Sequence, residues 1–191
     1  MVVICPGIHE HALTYEFLAT LKASLADGSK SLNLKDVLVF PAQDPYSTLS
    51  GFHILQFLYE HQSSPSTTQP IIFIGFSAGV VGAIGAAWGW QLLGGNVKAV
   101  IAIDGWGVPL FGNFSCHRLS HDFFTHWSSS LLGSGQDSFY ANPPVEHLTM
   151  WRSPQTVTGW WVQSSVDKSS PICLSAAQFL TMLLNRYVNR D

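Results

Sequence analysis

Short apolar runs alternate along the chain with longer segments in which apolar residues recur at helical spacing. The runs cover residues 2–5, 37–40, 71–74 and 97–103, and their β-branched and aromatic content is typical of strands buried on both faces. The segments between them predict three helices. This order of four strands and three helices predicts an α/β fold with three layers and a doubly wound, mainly parallel sheet.

The three predicted helices differ in their residue patterns. The first covers residues 13–25 and has one apolar face. The second is capped by Ser47 and extends to Leu58. The third begins after Gly79, carries no charge and consists mostly of small residues, as expected for a helix packed closely against the sheet.

The alternation of strands and helices breaks down over residues 105–146. This segment is rich in aromatic residues, histidines and turn-forming residues, and residues 116–132 within it fit a helix. We therefore predict an excursion from the sheet that acts as a lid or a pocket wall.

The last part of the chain is less distinctive. Residues 154–163 fit either a helix or a short strand, and Ser170 and Pro171 predict the start of a terminal helix. No internal repeat and no second hydrophobic block is visible. We therefore predict that residues 1–191 form a single domain.

The composition narrows the range of partners. Apolar residues make up 47% of the chain and charged residues only 11%, and the seven tryptophans suggest an apolar pocket. The net charge is −3 and no basic run is present, which argues against nucleic-acid binding. Three widely spaced cysteines indicate neither a disulfide framework nor a zinc motif.

Two features bear on location. The first residues lack a charged segment before a long apolar stretch, so we expect a cytoplasmic protein. Residues 71–95 carry no charge and are long enough to span a bilayer. Seven glycines and a serine in this stretch favour a strand, a turn and a buried helix instead, so we expect no stable membrane insertion.

Residues 75–79 read Gly-Phe-Ser-Ala-Gly and lie between the third predicted strand and the third predicted helix. Strand, G-x-S-x-G and helix together are typical of a nucleophile elbow. A serine on such a turn points its hydroxyl away from the sheet, and glycines two residues before and after it leave room for the tight backbone. The following helix directs backbone N–H groups and a partial positive charge towards the same place. Ser77 is therefore the predicted nucleophile.

A serine nucleophile needs an acid that orients its base. Asp104 follows the strand next in sequence to the nucleophile strand, and the carboxyl ends of parallel strands meet at one edge of a sheet. It is the preferred acid, although it could instead cap a turn with Gly105. Asp44 and Asp122 are weaker candidates.

An oxyanion hole needs two N–H donors near the nucleophile. One is expected from Ala78, directly after Ser77. The other is expected from Ile8, or from His9 one residue later, in the loop after the first strand.

Several histidines could serve as the base. His147 follows Asp104 in the chain and precedes an apolar segment, which makes it the first choice. His121 and His126 lie in the predicted helix of residues 116–132 and are the alternatives, and His9 is a weaker one.

No metal or cofactor is predicted. His9 and His11 are spaced too closely to chelate an ion well on a helix. His117 and His121, with Asp122 nearby, resemble a metal-binding arrangement, but the chain has no H-E-x-x-H pattern.

On these residues the chain resembles a small α/β-hydrolase, most closely over residues 2–107. The resemblance implies that Ser77 is the nucleophile and that residues 6–8 form the oxyanion loop. Asp104 is similar to the acid of thioesterase-type members that place it one strand after the nucleophile. His147 and the leucine after it are similar to the catalytic histidine context of some palmitoyl-thioesterase-like members.

Two positions depart from the family pattern. Phe76 stands where many members have histidine, and Glu146 precedes His147 where a glycine is usual.

The expected function is a serine hydrolase of the carboxylesterase, lipase or acyl-thioesterase type. It would cleave an ester or thioester of an apolar acyl group through an acyl-enzyme on Ser77. The alternative is a non-catalytic binding protein that keeps the fold and an apolar pocket.

Overall fold

The computed structural model of the protein describes residues 1–26, 36–62, 65, 69–163 and 172–188. Within these ranges the chain forms eight strands and seven helices. The strands are β1 Val2–Cys5, β2 Val37–Val39, β3 Ile71–Phe76, β4 Val97–Ile103, β5 Ser115–Ser120, β6 Asp137–Ala141, β7 Thr158–Gln163 and β8 Ile172–Ser175. The helices are α1 His11–Ala26, α2 Pro45–Leu49, α3 Gly51–His61, α4 Gly79–Leu92, α5 Phe123–Ser130, α6 Thr149–Arg152 and α7 Ala176–Val188.

The eight strands form one sheet in the order β2-β1-β3-β4-β5-β6-β7-β8. Strands β1 to β6 pair in parallel, whereas β7 runs antiparallel to β6 and β8 antiparallel to β7. The predicted α/β fold with a mainly parallel sheet is therefore confirmed. The antiparallel edge makes the sheet a mixed one.

Helices cover both faces of the sheet. Val2 and Ile4 of β1 pack into a cluster with side chains of α1, α6 and α7. Their neighbours Val3 and Cys5 point the other way and pack with side chains of α3 and α4. Successive residues of a strand face opposite sides, so a central strand covered by helices on both faces contains apolar residues at every position.

The prediction of a lid over residues 105–146 is wrong for the part that forms β5 and β6. Both strands belong to the central sheet, and α5 connects them. The misassignment has a physical cause, because β5 buries polar side chains that a sequence pattern places at the surface. Arg118 of β5, for example, donates from Nε to the Gly133 carbonyl at 2.6 Å and from Nη2 to the Val108 carbonyl at 2.7 Å.

The second predicted helix is divided into two. Asp44, not Ser47, caps α2 and accepts hydrogen bonds from the backbone N–H groups of Tyr46 and Ser47. The Ser47 hydroxyl completes this capping box, and Ser50 caps α3. Asp44, one of the two weaker acid candidates, therefore serves as a helix cap.

The structure assigns residues 154–163 and the terminal helix as follows. Residues 158–163 form β7, so the strand alternative applies to most of the segment 154–163. Ser170 and Pro171 lie outside the described residues. Ile172–Ser175 is strand β8, so the described part of the terminal helix begins at Ala176.

The uncharged stretch of residues 71–95 is divided between β3, a turn and α4. No helix in the described part of the chain combines the length and apolarity needed to cross a membrane.

Candidate active site

Ser77 lies on the turn between β3 and α4. Its φ is +50°, a left-handed conformation that residues other than glycine rarely adopt. The Ser77 N–H donates to the Ile103 carbonyl at 2.9 Å, and the Ser77 carbonyl accepts the Val80 N–H at 3.1 Å. These two bonds hold the strained residue between β4 and the first turn of α4.

The glycines on either side of Ser77 are required by close packing. A Cβ atom on Gly79 would lie 2.2 Å from the Cys5 carbonyl oxygen and 2.3 Å from that of Pro6. One on Gly75 would lie 2.8 Å from Val80 Cα. The spacing of the motif thus reflects backbone contacts of α4 with β3 and with the loop after β1.

Asp104 follows β4 directly and also has a positive φ, +53°. Its carboxylate is buried and accepts bonds from two histidines. Oδ2 lies 2.8 Å from His147 Nδ1 and 2.9 Å from His121 Nδ1, and Oδ1 accepts the His121 backbone N–H at 2.9 Å. Burial raises the pKa of Asp104, but the hydrogen bonds from His121 and His147 outweigh it and hold that pKa below its usual value.

His147 lies in the loop between β6 and α6. Its Nδ1–H donates to Asp104, and its ring stacks on Phe76 with the centroids 4.8 Å apart and the planes 21° apart. No described residue hydrogen-bonds to its Nε2. The side chain is 41% exposed, so Nε2 is free to exchange a proton with a group in the neighbouring cavity.

His121 follows β5 and is bound differently. Nδ1 contacts Asp104, and Nε2 lies 3.5 Å from Asp122 Oδ2. The hydrogen bond to Asp104 raises the pKa of His121, and the negative charges of Asp104, Asp122 and Glu146 add to this, whereas burial opposes it. With a carboxylate beside each ring nitrogen, His121 is suited to hold a proton and poorly suited to accept one from Ser77.

The other two histidine candidates lie away from Asp104. The His126 ring packs on Tyr140, and burial lowers its pKa. The Nδ1 of His9 contacts the Glu10 carbonyl, and its ring packs edge-on against Phe76. The structure therefore brings two of the four candidate bases, His147 and His121, to the predicted acid.

The predicted oxyanion donors belong to two backbone segments next to Ser77. Ala78 is the N-cap of α4, and Ile8 lies in the loop after β1. A Cβ atom on Gly7 would lie 3.0 Å from Ser77 Cβ, so this loop passes directly beside the nucleophile. Neither the Ala78 N–H nor the Ile8 N–H has a hydrogen-bond partner among the described residues.

One cavity of about 270 Å³ joins most of these groups. Its wall combines the polar candidates with apolar side chains of α4 and of the loop after β4. The lining residues are Ser77, Ala78, Val81, Asp104, Trp106, Val108, His121, Thr125 and His147. His126 and Ile8 do not line it.

Sequence reasoning missed an aromatic column beneath His147. Phe76 stacks on both His147 and Trp151, and Trp151 stacks on Phe17, with centroid separations of 4.8, 4.9 and 3.8 Å. Two features of the sequence could have indicated this column. They are the phenylalanine directly before Ser77 and the aromatic residue four positions after His147. A histidine ring packed on a fully buried phenylalanine has a fixed orientation.

Asp122 and His117 have structural roles. Asp122 caps α5 by accepting the Thr125 N–H at 2.6 Å, in addition to facing His121. His117 and His121 are not on one helix. His117 is inside β5 and its Nε2 lies 2.6 Å from the Tyr187 hydroxyl, so the two histidines do not form the metal pair that their spacing resembled.

Comparison with protein-family models finds no family that matches the chain, and comparison with curated proteins finds no match either.

Proposed function

We propose that the protein is a serine hydrolase of the α/β-hydrolase type that cleaves an ester or thioester of an apolar acyl group. The observation that carries this proposal is the arrangement of Ser77, Asp104 and His147 around one cavity. A strained serine, a buried carboxylate and a histidine bound to that carboxylate are the components of acyl transfer through a covalent intermediate.

His147 is the base in this proposal. Asp104 accepts a hydrogen bond from Nδ1–H, which leaves Nε2 with its lone pair directed away from the carboxylate. Nε2 takes the proton of the Ser77 hydroxyl as Oγ forms a bond to the carbonyl carbon. It then gives that proton to the leaving oxygen or sulfur as the bond between that atom and the carbonyl carbon breaks.

Water completes the cycle at the same nitrogen. His147 Nε2 accepts one proton of the water, and the resulting hydroxide attacks the acyl carbon. The bond from that carbon to Ser77 Oγ breaks, and Oγ recovers the proton from Nε2. The free N–H groups of Ala78 and Ile8 are the groups that would bind the negative oxygen formed in each half-reaction.

His121 is a positioning residue for Asp104. It binds both carboxylate oxygens and leaves Oδ2 oriented towards His147. Asp122 and Glu146 favour a positive charge on His121, which stabilises the ionised form of Asp104.

The size and lining of the cavity are suited to a small apolar acyl group. Val81, Val108 and the indole of Trp106 form its apolar wall, and Trp106 Nε1 donates to Ser128 Oγ at 3.0 Å, which fixes the indole against α5. A volume of about 270 Å³ lies just below the range of about 300–1,000 Å³ typical of ligand pockets. Short acyl chains are therefore the preferred substrates.

We infer that the protein is cytoplasmic. Its three cysteines are free thiols, two of them buried, and thiols stay reduced in that compartment.

Covalent labelling and hydrolysis test the proposal together. A fluorophosphonate should label the wild-type protein at Ser77, and p-nitrophenyl esters and acyl-CoA thioesters of increasing length should be hydrolysed fastest when the acyl chain is short. Ser77→Ala should lose both labelling and turnover with an unchanged melting temperature. Wild-type turnover in a purified Ser77→Ala variant would show that Ser77 is not the nucleophile.

A non-catalytic binding protein is the second candidate. The observation that favours it is that the Ser77 hydroxyl makes no hydrogen bond to His147 within the described residues. Catalytic hydrogen bonds are often long until a substrate is bound, so we prefer the enzyme. Tight binding of an acyl ligand without labelling or turnover would favour the binding protein.

A further inference from the structure

We propose that Asp104, His121 and His147 form a site for a divalent transition-metal ion, best fitted by Zn²⁺, and that ion binding inhibits the hydrolase. The metal site follows from the geometry of the three side chains alone. Its inhibitory effect rests on the proposed function, because inhibition needs His147 to be the base.

The three side chains come from different parts of the fold and converge on one point. Asp104 follows β4, His121 follows β5, and His147 lies in the loop after β6. A ring nitrogen of each histidine and a carboxylate oxygen all lie within 4.8 Å of one another. Both Nδ1 atoms lie within 2.9 Å of Asp104 Oδ2.

These distances are close to those of a tetrahedral zinc site. Zinc bonds of about 2.0–2.1 Å place neighbouring ligand atoms roughly 3.3 Å apart. The two Nδ1 atoms lie 2.9 and 2.8 Å from Oδ2, slightly closer than this, and the three ligand atoms lie within 4.8 Å of one another, so small rotations of the side chains are enough to admit an ion. Two histidines and one carboxylate also match the ligand set of open zinc sites, in which water takes the fourth position.

The surroundings of the three side chains are suitable for an ion. His147 and His121 are 41% and 27% exposed on the cavity wall, so an ion has access from solvent. Asp122 Oδ2 lies 3.5 Å from His121 Nε2, where it can accept a hydrogen bond from the Nε2–H of a histidine that binds metal through Nδ1. A carboxylate behind a metal-binding imidazole is a common feature of zinc sites and orients the ring.

Metal binding would block the base directly. An ion on His147 Nδ1 forces the remaining ring proton onto Nε2, which then donates a hydrogen bond and no longer accepts one. The Ser77 proton has no acceptor in that state, and Asp104 is bound to the ion. The ion therefore prevents nucleophilic attack while the acyl part of the cavity stays open.

Binding is measured in the Ser77→Ala variant, so that the result does not depend on activity. Co²⁺ is titrated as a probe, since it accepts the same ligands as Zn²⁺ and absorbs strongly in the visible range when tetrahedral. We expect one Co²⁺ per chain and its displacement by Zn²⁺. Adding His121→Gln or His147→Gln should weaken Co²⁺ binding by at least about 100-fold, more than loss of an outer group usually does.

His53→Gln in the same Ser77→Ala background is the matched control. His53 is exposed on α3 and is not part of the cluster, so its replacement should leave the affinity unchanged. Melting curves identify any variant that fails to fold, and the two histidine variants are independent tests. Equal Co²⁺ affinity in Ser77→Ala and in a folded His121→Gln or His147→Gln derivative would overturn the site.

Activity distinguishes the two parts of the proposal. Zn²⁺ should inhibit ester hydrolysis by the wild-type protein, and EDTA should restore it. Undiminished hydrolysis with the site saturated by Zn²⁺ would overturn the inhibition. A protein that binds Co²⁺ through both histidines but hydrolyses no ester would support the metal site and contradict the proposed function.

Discussion

Among the described residues two carboxylates are buried, Asp104 and Asp137, and of the two only Asp104 lines the cavity that contains Ser77. Asp104 at the end of β4 is bound by His147 and His121, and Asp137 at the start of β6 lies beside His117 and Arg186. Strand β5 supplies a histidine to each, His117 from within the strand and His121 just after its end. Each site therefore combines a carboxylate, a histidine and a second basic group.

The cluster around Asp137 is closed. His117 has no exposed side-chain surface, and its two ring nitrogens contact the Asp137 carbonyl at 3.3 Å and the Tyr187 hydroxyl at 2.6 Å. Trp161 Nε1 donates to Asp137 Oδ1 at 2.9 Å, and Arg186 Nη1 binds Oδ2. These bonds join β5, β6, β7 and α7, so the cluster holds the antiparallel edge and the last helix together.

The cluster around Asp104 is open, and His147 Nε2 has no hydrogen-bond partner in the part of the chain that the structure describes. His147 Nε2 faces a cavity that also holds Ser77. Similar residue types therefore stabilise the fold in one place and provide a free proton acceptor in the other. What separates the two clusters is the number of polar atoms that remain unpaired beside a cavity.

The largest expected effect is on activity at the open cluster. Asp104→Asn should lower kcat by about 10⁴-fold with little change in KM, because an amide cannot hold the His147 imidazole in the required tautomer. Steady-state kinetics measure this. Asp137→Asn is the matched control and should keep kcat within a few-fold, and an equal loss of kcat in both variants would contradict the comparison.

Substitutions in the closed cluster around Asp137 should mainly affect the stability of the protein. His117→Ala should lower the free energy of unfolding by about 3–5 kcal/mol, because it leaves a cavity in the core and removes the buried imidazole that contacts the Asp137 carbonyl and the Tyr187 hydroxyl. Urea denaturation measures this. His147→Ala, at a partly exposed position, should change the free energy of unfolding by less than about 1 kcal/mol while abolishing turnover. Comparable destabilisation by both variants would show that the two clusters are equally structural.

The pH dependence of stability should also distinguish the clusters. Burial lowers the pKa of His117 to about 4, against an attraction from Asp137 that raises it. Between that value and the unfolded pKa of about 6.5, the unfolded chain binds the extra proton, so stability is full above about pH 6.5 and falls as the pH drops towards 4. The melting temperatures of wild-type protein and of a folded His117→Gln variant should differ least at low pH. A difference in melting temperature that stays constant with pH would argue against this role of His117.

The smallest effect is expected at the second histidine of the open cluster. His121→Gln should reduce kcat by roughly tenfold, because glutamine can still donate a hydrogen bond to Asp104 but carries no positive charge. Steady-state kinetics measure this, with His147→Ala as the comparison. Loss of all turnover in a folded His121→Gln variant, with substantial turnover kept in His147→Ala, would make His121 the base.

Much of the fold was accessible from local patterns. The runs at β1, β3 and β4 are apolar at every position except Lys98, because helices cover both faces of the central strands, and the G-x-S-x-G motif marked the turn between β3 and α4. The prediction failed where polar side chains are buried. β5 contains His117 and Arg118, which become acceptable in a core only after distant carbonyl and hydroxyl partners are in place.

The same distinction applies to the candidate site. By itself the sequence determined that Ser77 lies on a turn between a strand and a helix and that Asp104 lies at the end of the next strand, because both follow from neighbouring residues. Only the tertiary structure decided which histidines reach Asp104, since His147 is 43 residues away and its position depends on β5 and β6 joining the sheet. It also decided that His121 has a carboxylate beside each nitrogen while His147 keeps Nε2 unpaired among the described residues. Hydrogen bonds between distant segments are set by the packing of whole elements, and no local pattern contains that information.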